Sequence, residues 1–404
     1  MDPGRDMTTK LTVRTSLSPP APRADAPLDG KLTGGWFPEV WLGAPATGGL
    51  ALPAANPTRA WMYSPRCVFF DDDHLVAADS GNHRVLIWHG KPDSDEQPAD
   101  VVLGQPDAET EGRAAGGRGP ENGMNLPTGV LIHRGRLVVA DAWHHRILVW
   151  NSVPEIDGTP PDVILGQPDA AAVDPNAGGG CTASSLYWPF GVAVIGSVFW
   201  VADTGNRRVL GWSSGIPEPG VPADTILGQP DGCQREENRG TTVDRDGFRW
   251  PHSMTGTDDL LLVADAGDHR VLGWTPLPDG DLPADLVLGQ PDFTTAQEWP
   301  YGPQRGDRLR FPYAACLDSS AIPGGRLAVA DTANNRILLW DGMPGDGRPA
   351  DHVLAQPSFA ANGENRWSAV THDTLCWPYG VWLSGDRLAV ADSGNNRVVI
   401  WRRR

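Results

Sequence analysis

The chain is poor in cysteine, in net positive charge and in long apolar runs, and each shortage excludes a class of protein. Five scattered cysteines without a Cys-x-x-Cys pair argue against a disulfide framework and a zinc knuckle, so we expect reduced thiols and a cytoplasmic location. No run approaches the ~20 apolar residues of a membrane span. A formal charge of −17 repels a phosphate backbone, so nucleic acid is not an expected partner.

The first thirty residues also lack features, because they hold no apolar stretch of the signal-peptide kind. Residues 1–30 are rich in proline, aspartate and arginine, which predicts a disordered tail. The remainder, 31–404, is predicted to be one domain despite its length, because it consists of repeats.

One segment occurs six times. Val76 to Trp88 reads Val-Ala-Ala-Asp-Ser-Gly-Asn-His-Arg-Val-Leu-Ile-Trp, and its aspartate stands nine residues before its tryptophan in every copy. Asp79, Asp141 and Asp203 are 62 residues apart. Self-similarity at a fixed period indicates a repeat architecture.

Each repeat contains four short apolar segments separated by turn residues, which predicts four antiparallel strands per repeat. The last segment reads Pro-Ala-Asp-x-x-Leu-Gly-Gln-Pro-Asp, as at 98–107, and an 18-residue stretch of variable sequence follows it. The repeats are predicted to start near residues 64, 126, 188, 250, 311 and 377. We define the loop face as the face of the ring that carries the 18-residue stretches.

The sixth repeat ends at Trp401 without its fourth segment. The missing piece is found near the N-terminus, where 38–45 read Pro-Glu-Val-Trp-Leu-Gly-Ala-Pro. We therefore predict that residues 31–46 supply the outer strand of the last blade and close the ring, which protects two strand edges. The predicted fold is an all-β, six-bladed propeller, and we expect a monomer.

The chain resembles NHL-repeat propellers of the bacterial kind whose blades carry Leu-Gly-Gln-Pro-Asp. Val-Ala-Asp-x-x-Asn-x-Arg-Val recurs six times in nearly complete form between Trp36 and Trp401, with departures at His144 and Asp268. The resemblance implies binding of proteins, RNA or small ligands, and related six-bladed rings include lyases and lactone hydrolases. Fold alone does not decide among these functions.

Residues that are identical in every repeat are interpreted as scaffold, since a catalytic site needs asymmetry. The repeated aspartate and arginine are expected to pair and pin a hairpin, and the repeated tryptophans are expected to pack between blades. The histidines His83, His145 and His269 share one turn position, too far apart for a common metal ion. No metal or other cofactor is expected.

One variable position follows the proline that starts each first strand. The resemblance implies that first strands line the central channel, so the six residues at this position should form a ring at its mouth. This mixed lining suits a small ligand, although a plug of bulky side chains explains it equally well. The six are Arg66, Thr128, Phe190, His252, Tyr313 and Tyr379.

The 18-residue stretches and their surroundings supply aromatic residues and arginines, which protein interfaces favour. The candidates are Arg235, Arg239, Trp299, Tyr301, Arg305, Arg310 and Trp367. The leading hypothesis is a non-catalytic scaffold that binds a protein or peptide on the loop face. The alternative is a lyase or hydrolase at the channel mouth, with His252 as general base and Arg66 as anion clamp.

Overall fold

Six four-stranded antiparallel sheets form a ring in the computed structural model, which describes residues 30–44, 56–299, 302–320 and 322–404. Within these ranges there are 24 strands, numbered β1 to β24 in chain order. The predicted six-bladed propeller is confirmed. The proposed disordered tail lies outside the described residues, except for Gly30.

Five blades are built from consecutive strands, and the first of each four is innermost, since first strands of neighbouring blades contact one another around a central cavity. Blade one consists of β2 (Cys67–Phe70), β3 (His74–Asp79), β4 (Arg84–His89) and β5 (Val101–Leu103). Blade two consists of β6 (Pro127–His133), β7 (Arg136–Asp141), β8 (Arg146–Trp150) and β9 (Val163–Leu165). Blade three consists of β10 (Pro189–Ile195), β11 (Val198–Asp203), β12 (Arg208–Trp212) and β13 (Thr225–Leu227). Blade four consists of β14 (Pro251–Thr257), β15 (Leu260–Asp265), β16 (Arg270–Trp274) and β17 (Leu286–Leu288). Blade five consists of β18 (Pro312–Asp318), β19 (Arg326–Asp331), β20 (Arg336–Asp341) and β21 (His352–Leu354).

The sixth blade joins the two ends of the chain. Its strands are β22 (Pro378–Ser384), β23 (Arg387–Asp392), β24 (Arg397–Arg403) and β1 (Trp36–Gly43). Strand β1 pairs antiparallel with β24, with Trp36 opposite Arg403 and Gly43 opposite Arg397. The predicted closure by the N-terminal strand is confirmed, and residues 45–46 of the predicted segment lie outside the described part.

Second and third strands are buried along nearly their whole length, as in β11, where five of six residues are inaccessible. Blades cover both faces of each sheet, so these strands read as continuous apolar runs instead of alternating ones. The repeated tryptophans are buried, and Trp88 Nε1 donates to Gln97 O, in the connection to the fourth strand, at 2.9 Å.

Helical structure is limited to single turns in the described residues. Six 3-10 turns join second to third strands: Ser80–Asn82, Ala142–His144, Thr204–Asn206, Ala266–Asp268, Thr332–Asn334 and Ser393–Asn395. The 18-residue stretches contain Arg113–Gly117, Pro120–Asn122, Pro175–Gly178, Glu237–Gly240 and Glu364–Trp367. No helix of the described part is long and apolar enough to cross a membrane.

A buried ion pair fixes the loops of each blade. In blade three, Arg208 Nε donates to Asp203 Oδ2 at 2.7 Å, and both side chains are inaccessible. The same guanidinium donates to Gly232 O after the blade and to Thr182 O and Ser185 O before it. One arginine therefore holds two loops, which explains why the 18-residue stretches keep one length. Removing one partner of such a pair costs about 3–5 kcal/mol.

The shared turn position couples neighbouring blades. His145 has left-handed backbone (φ +54°), and its Nδ1 accepts a hydrogen bond from Trp188 N at 3.0 Å. His83 and His269 accept in the same way from Leu126 N and Phe311 N. These histidines are structural links between successive blades.

Candidate functional site

All six residues of the variable ring line one cavity at the centre of the propeller. The cavity is formed by the starts of the six first strands, and its lining includes Arg66, Thr128, Phe190, His252, Tyr313 and Tyr379. The sequence reasoning therefore identified residues that the fold brings together. Their role in binding stays a prediction.

The ring is filled mostly by its own aromatic side chains. Phe190 contacts His252 with ring centroids 4.1 Å apart, and the centroids of His252 and Tyr313 are 4.4 Å apart. Tyr313 continues to Tyr379 at 4.4 Å, and Arg66 Cζ stands 5.0 Å from the Tyr379 centroid. The remaining cavity is about 50 Å³. That volume holds a few water molecules, whereas small-ligand pockets span about 300–1,000 Å³.

Three of the six side chains are buried: Thr128, Phe190 and His252. Thr128 Oγ1 donates to Phe190 O at 2.8 Å, and this bond joins blade two to blade three. His252 Nδ1 lies 2.7 Å from Trp250 O, so it carries the proton and donates. Both polar groups are engaged by the scaffold.

Burial changes the acid–base character of the ring. It lowers the pKa of His252 to about 3, so the imidazole is neutral and weakly basic at pH 7. Burial also raises the pKa of Tyr313 above its ordinary value, which keeps the phenol protonated. A general base is most effective with a pKa near the working pH, so this geometry does not favour the role suggested for His252.

Within the described residues, no group of three or more His, Cys, Asp or Glu side chains is arranged to hold a metal ion.

The predicted loop residues do not form one cluster, because they are spread over the stretches before blades four, five and six. Arg239 is paired with Asp281, Arg305 with Asp307 and Arg310 with Glu298. Arg308 lies over the ring of Trp299, with Cζ 4.0 Å from the centroid. Tyr301 lies outside the described residues. Arg235 and Trp367 are exposed, and Trp367 retains 80% of its accessible surface.

Sequence reasoning missed a second variable column, the residue before the proline of each first strand. It comprises Ser64, Leu126, Trp188, Trp250, Phe311 and Trp377. Trp250 and Phe311 stack with centroids 6.2 Å apart, and Trp377 Nε1 donates to Glu364 Oε1 at 2.9 Å. None of the six is fully buried. The signal was available, since four consecutive blades carry an aromatic residue there.

Trp143 was missed as well, although it breaks the repeat. Four other blades have glycine at this turn position and blade five has Ala333. At Gly81 an added Cβ would lie 2.4 Å from Tyr63 Cδ1 and 2.6 Å from Tyr63 O, so a larger residue does not fit that turn without a shift. Trp143 is 54% exposed, and its ring meets that of Trp188 edge-on at 6.2 Å.

Comparison with known proteins supports the resemblance to NHL repeats. No protein-family model matches the chain. The chain is 30% identical over 186 residues to NHL repeat-containing protein 2 of Gallus gallus, which covers 42% of this chain and 23% of that protein. The chain thus spans about a quarter of the length of the curated relative that it matches.

Two similar solved structures illustrate the likeness, both at low identity. The WD40 β-propeller domain of Doa1 aligns with a TM-score of 0.47 and 12% identity, covering 92% of this chain and 98% of that one. A streptogramin B lyase structure aligns at 0.45 and 10%, covering 92% and 99%. The chain is a six-bladed β-propeller with 30% identity to an NHL repeat-containing protein over part of its length.

Proposed function

We propose that the protein is a non-catalytic scaffold that binds a protein or peptide partner on its loop face. The observation that carries the proposal is the exposure of large aromatic side chains there: Trp143 at 54%, Trp367 at 80%, Trp377 at 39% and Tyr63 at 47%. Tryptophan and tyrosine dominate the binding energy of protein interfaces because they bury a large area with few rotamers. Exposure of several such side chains to water is unfavourable, and a bound partner would bury their apolar surface.

The filled channel supports a partner on the surface over a small molecule inside the ring. A cavity of about 50 Å³ accepts no ligand of ordinary size unless Phe190, His252 or Tyr313 moves. The charge of −17 disfavours nucleic acid as the partner. We place the protein in the cytoplasm, since its five cysteines are all unpaired.

The test compares single substitutions on the two faces of the ring. A partner recovered on the purified wild-type protein from a native extract is identified and titrated against variants. Trp143→Gly restores the glycine that other blades have, without disturbing the turn. Trp377→Ala truncates the exposed tryptophan of the second variable column. Each should weaken binding by about tenfold or more, the effect of removing an interface anchor.

The matched control is Ile156→Ala, in the connection between third and fourth strands on the opposite face. Ile156 is 73% exposed, so its truncation removes a comparable apolar surface without touching the loop face. A partner that binds Trp143→Gly and Trp377→Ala as tightly as wild type contradicts the proposal. Equal loss with Ile156→Ala contradicts it too.

A further inference from the structure

A groove of about 250 Å³ lies between blades two and three on the hairpin face, the face where first and second strands are joined. Blade two contributes three basic side chains from one hairpin, His133, Arg134 and Arg136. Blade three contributes small and polar groups. The groove is lined by His133, Arg134, Arg136, Val194, Gly196, Ser197, Ser213, Ser214, Gly215 and Ile216.

The basic hairpin is a departure from the rest of its face. At the corresponding position blade one has Asp71, Asp72 and Asp73, and blade four has Asp258 and Asp259. Blades five and six also carry aspartate there. Among the six hairpins at this position, only that of blade two carries more than one basic residue. The repeat does not explain this departure.

The arginines of this hairpin are not neutralised by the protein. Among the ion pairs of the described residues, none includes Arg134 or Arg136. Arg136 Nε is buried and has no hydrogen-bond acceptor in the described structure. The paired Arg326 Nε, by contrast, donates to Asp341 at 2.7 Å. The blade-two wall of the groove therefore carries two guanidinium groups that no carboxylate of the described residues neutralises.

Two carboxylates flank the groove on the blade-three side. Asp224 accepts from Ser213 N at 3.1 Å and from Ser213 Oγ at 2.6 Å. Asp258 approaches Gly196, with Oδ1 3.9 Å from where a Cβ would lie.

Burial lowers the pKa of His133, and the positive charges of Arg134 and Arg136 lower it further. The guanidinium groups of Arg134 and Arg136 give the blade-two wall a positive charge.

We propose that this groove binds a small phosphate-bearing molecule, with Arg134 and Arg136 on the phosphate oxygens and Ser197 and Ser214 as hydroxyl donors. Guanidinium forks match the geometry of phosphate oxygens and form short, charge-assisted hydrogen bonds with them. The groove volume of about 250 Å³ is more than ten times the cavity volume that one water molecule requires, and it is smaller than a pocket for a drug-sized ligand. It suits a phosphate group on a small organic body.

Calorimetric titration of the full chain with glycerol 3-phosphate, inorganic phosphate and sulfate tests the proposal. We expect saturable binding of all three, tightest for glycerol 3-phosphate. Arg134→Ala combined with Arg136→Ala should weaken it by about tenfold or more, since two charged hydrogen-bond donors are lost. The control is Arg387→Ala, in the corresponding hairpin of blade six, which should bind as wild type does.

Sulfate tests the role of His133 because sulfate stays dianionic over the pH range in which histidine titrates. A change of sulfate affinity with pH therefore does not come from protonation of the ligand. Sulfate binding should strengthen as pH falls through the pKa of His133, and His133→Asn should remove that dependence. A sulfate affinity with the same pH dependence in His133→Asn overturns this part of the assignment.

A lipid headgroup carries the same phosphate chemistry, so a vesicle arm distinguishes the sources. Wild type should not sediment with vesicles of phosphatidylcholine and phosphatidic acid. Sedimentation with these vesicles and no saturable binding of glycerol 3-phosphate would overturn the small-molecule proposal. So would the absence of binding up to about 10 mM phosphate, or a double variant that binds as tightly as wild type. None of these outcomes depends on the loop face, so the scaffold proposal is tested separately.

Discussion

At the residue scale, the six side chains of the variable ring occupy equivalent repeat positions but differ in depth. Thr128 and His252 are buried, whereas Arg66 is half-buried. The depth of each side chain depends on which neighbouring side chains fill the centre of the ring.

We expect Phe190 to contribute to stability and Arg66 to contribute little. Phe190→Ala removes a ring that is 4% exposed, and truncating a buried phenylalanine costs about 3–5 kcal/mol. Arg66→Ala loses one stacking contact, which contributes less than about 1 kcal/mol at a half-exposed site. Urea denaturation of both variants measures the difference. A stable Phe190→Ala with an unstable Arg66→Ala would mean that the ring is not a plug.

At the element scale, blade four carries an exception inside its buried network. Four blades have asparagine three residues after the repeated aspartate, and in blade three Asn206 donates to Asp203 at 2.8 Å. Blade four has Asp268 instead, which is buried and lies 3.5 Å from Arg270. Burial raises the pKa of Asp268 to about 7, and the nearby Asp265 carboxylate adds to the effect.

The contribution of Asp268 to stability should therefore fall as pH rises from about 4 to about 7. The unfolded aspartate ionises near 3.8 and the folded one near 7, so in this window the native state binds the extra proton and loses stability with rising pH. Asp268→Asn should remove this contribution, so that relative to wild type it stabilises the protein at pH 8 by on the order of 2–4 kcal/mol.

Denaturation at pH 4.5 and pH 8 measures this effect, and the reciprocal change, Asn206→Asp, is the control that should introduce the same slope in blade three. Unchanged stability of Asp268→Asn at pH 8 would show that the charge of Arg270 offsets the burial of Asp268, so that this carboxyl ionises in its ordinary range. The departure itself was visible in the sequence, but its consequence needed the distance to Asp265 and Arg270.

At the scale of the whole molecule, closure depends on one strand from the other end of the chain. The missing fourth segment of the sixth repeat and its copy near the N-terminus predicted β1 from sequence alone, because strand period and motif coincide. What the sequence did not reveal is the groove between blades two and three. Its walls come from different repeats, and their distance depends on how blades pack.

Deleting residues 30–44 should expose the outer edge of β24 and destabilise every blade, since a ring opened at one junction loses packing between neighbours. We expect the melting temperature to fall by at least about 10 °C and the protein to self-associate. Circular dichroism and light scattering measure both. Deleting residues 1–29 is the control, and a monomeric 30–44 deletion with wild-type melting would contradict the role of β1.

Because Trp36 stands opposite Arg403, both ends of the described chain leave the propeller side by side at the rim of blade six. Arg404 N donates to Gly35 O at 3.0 Å, so a chain shortened to begin at Gly30 could be made circular by a short linker from Arg404. New termini opened in a hairpin such as that of Gly196 and Ser197 would then yield a permuted chain with the same fold. A polypeptide fused to either end of the described chain would be attached at the rim of blade six, and both faces of the propeller would stay accessible.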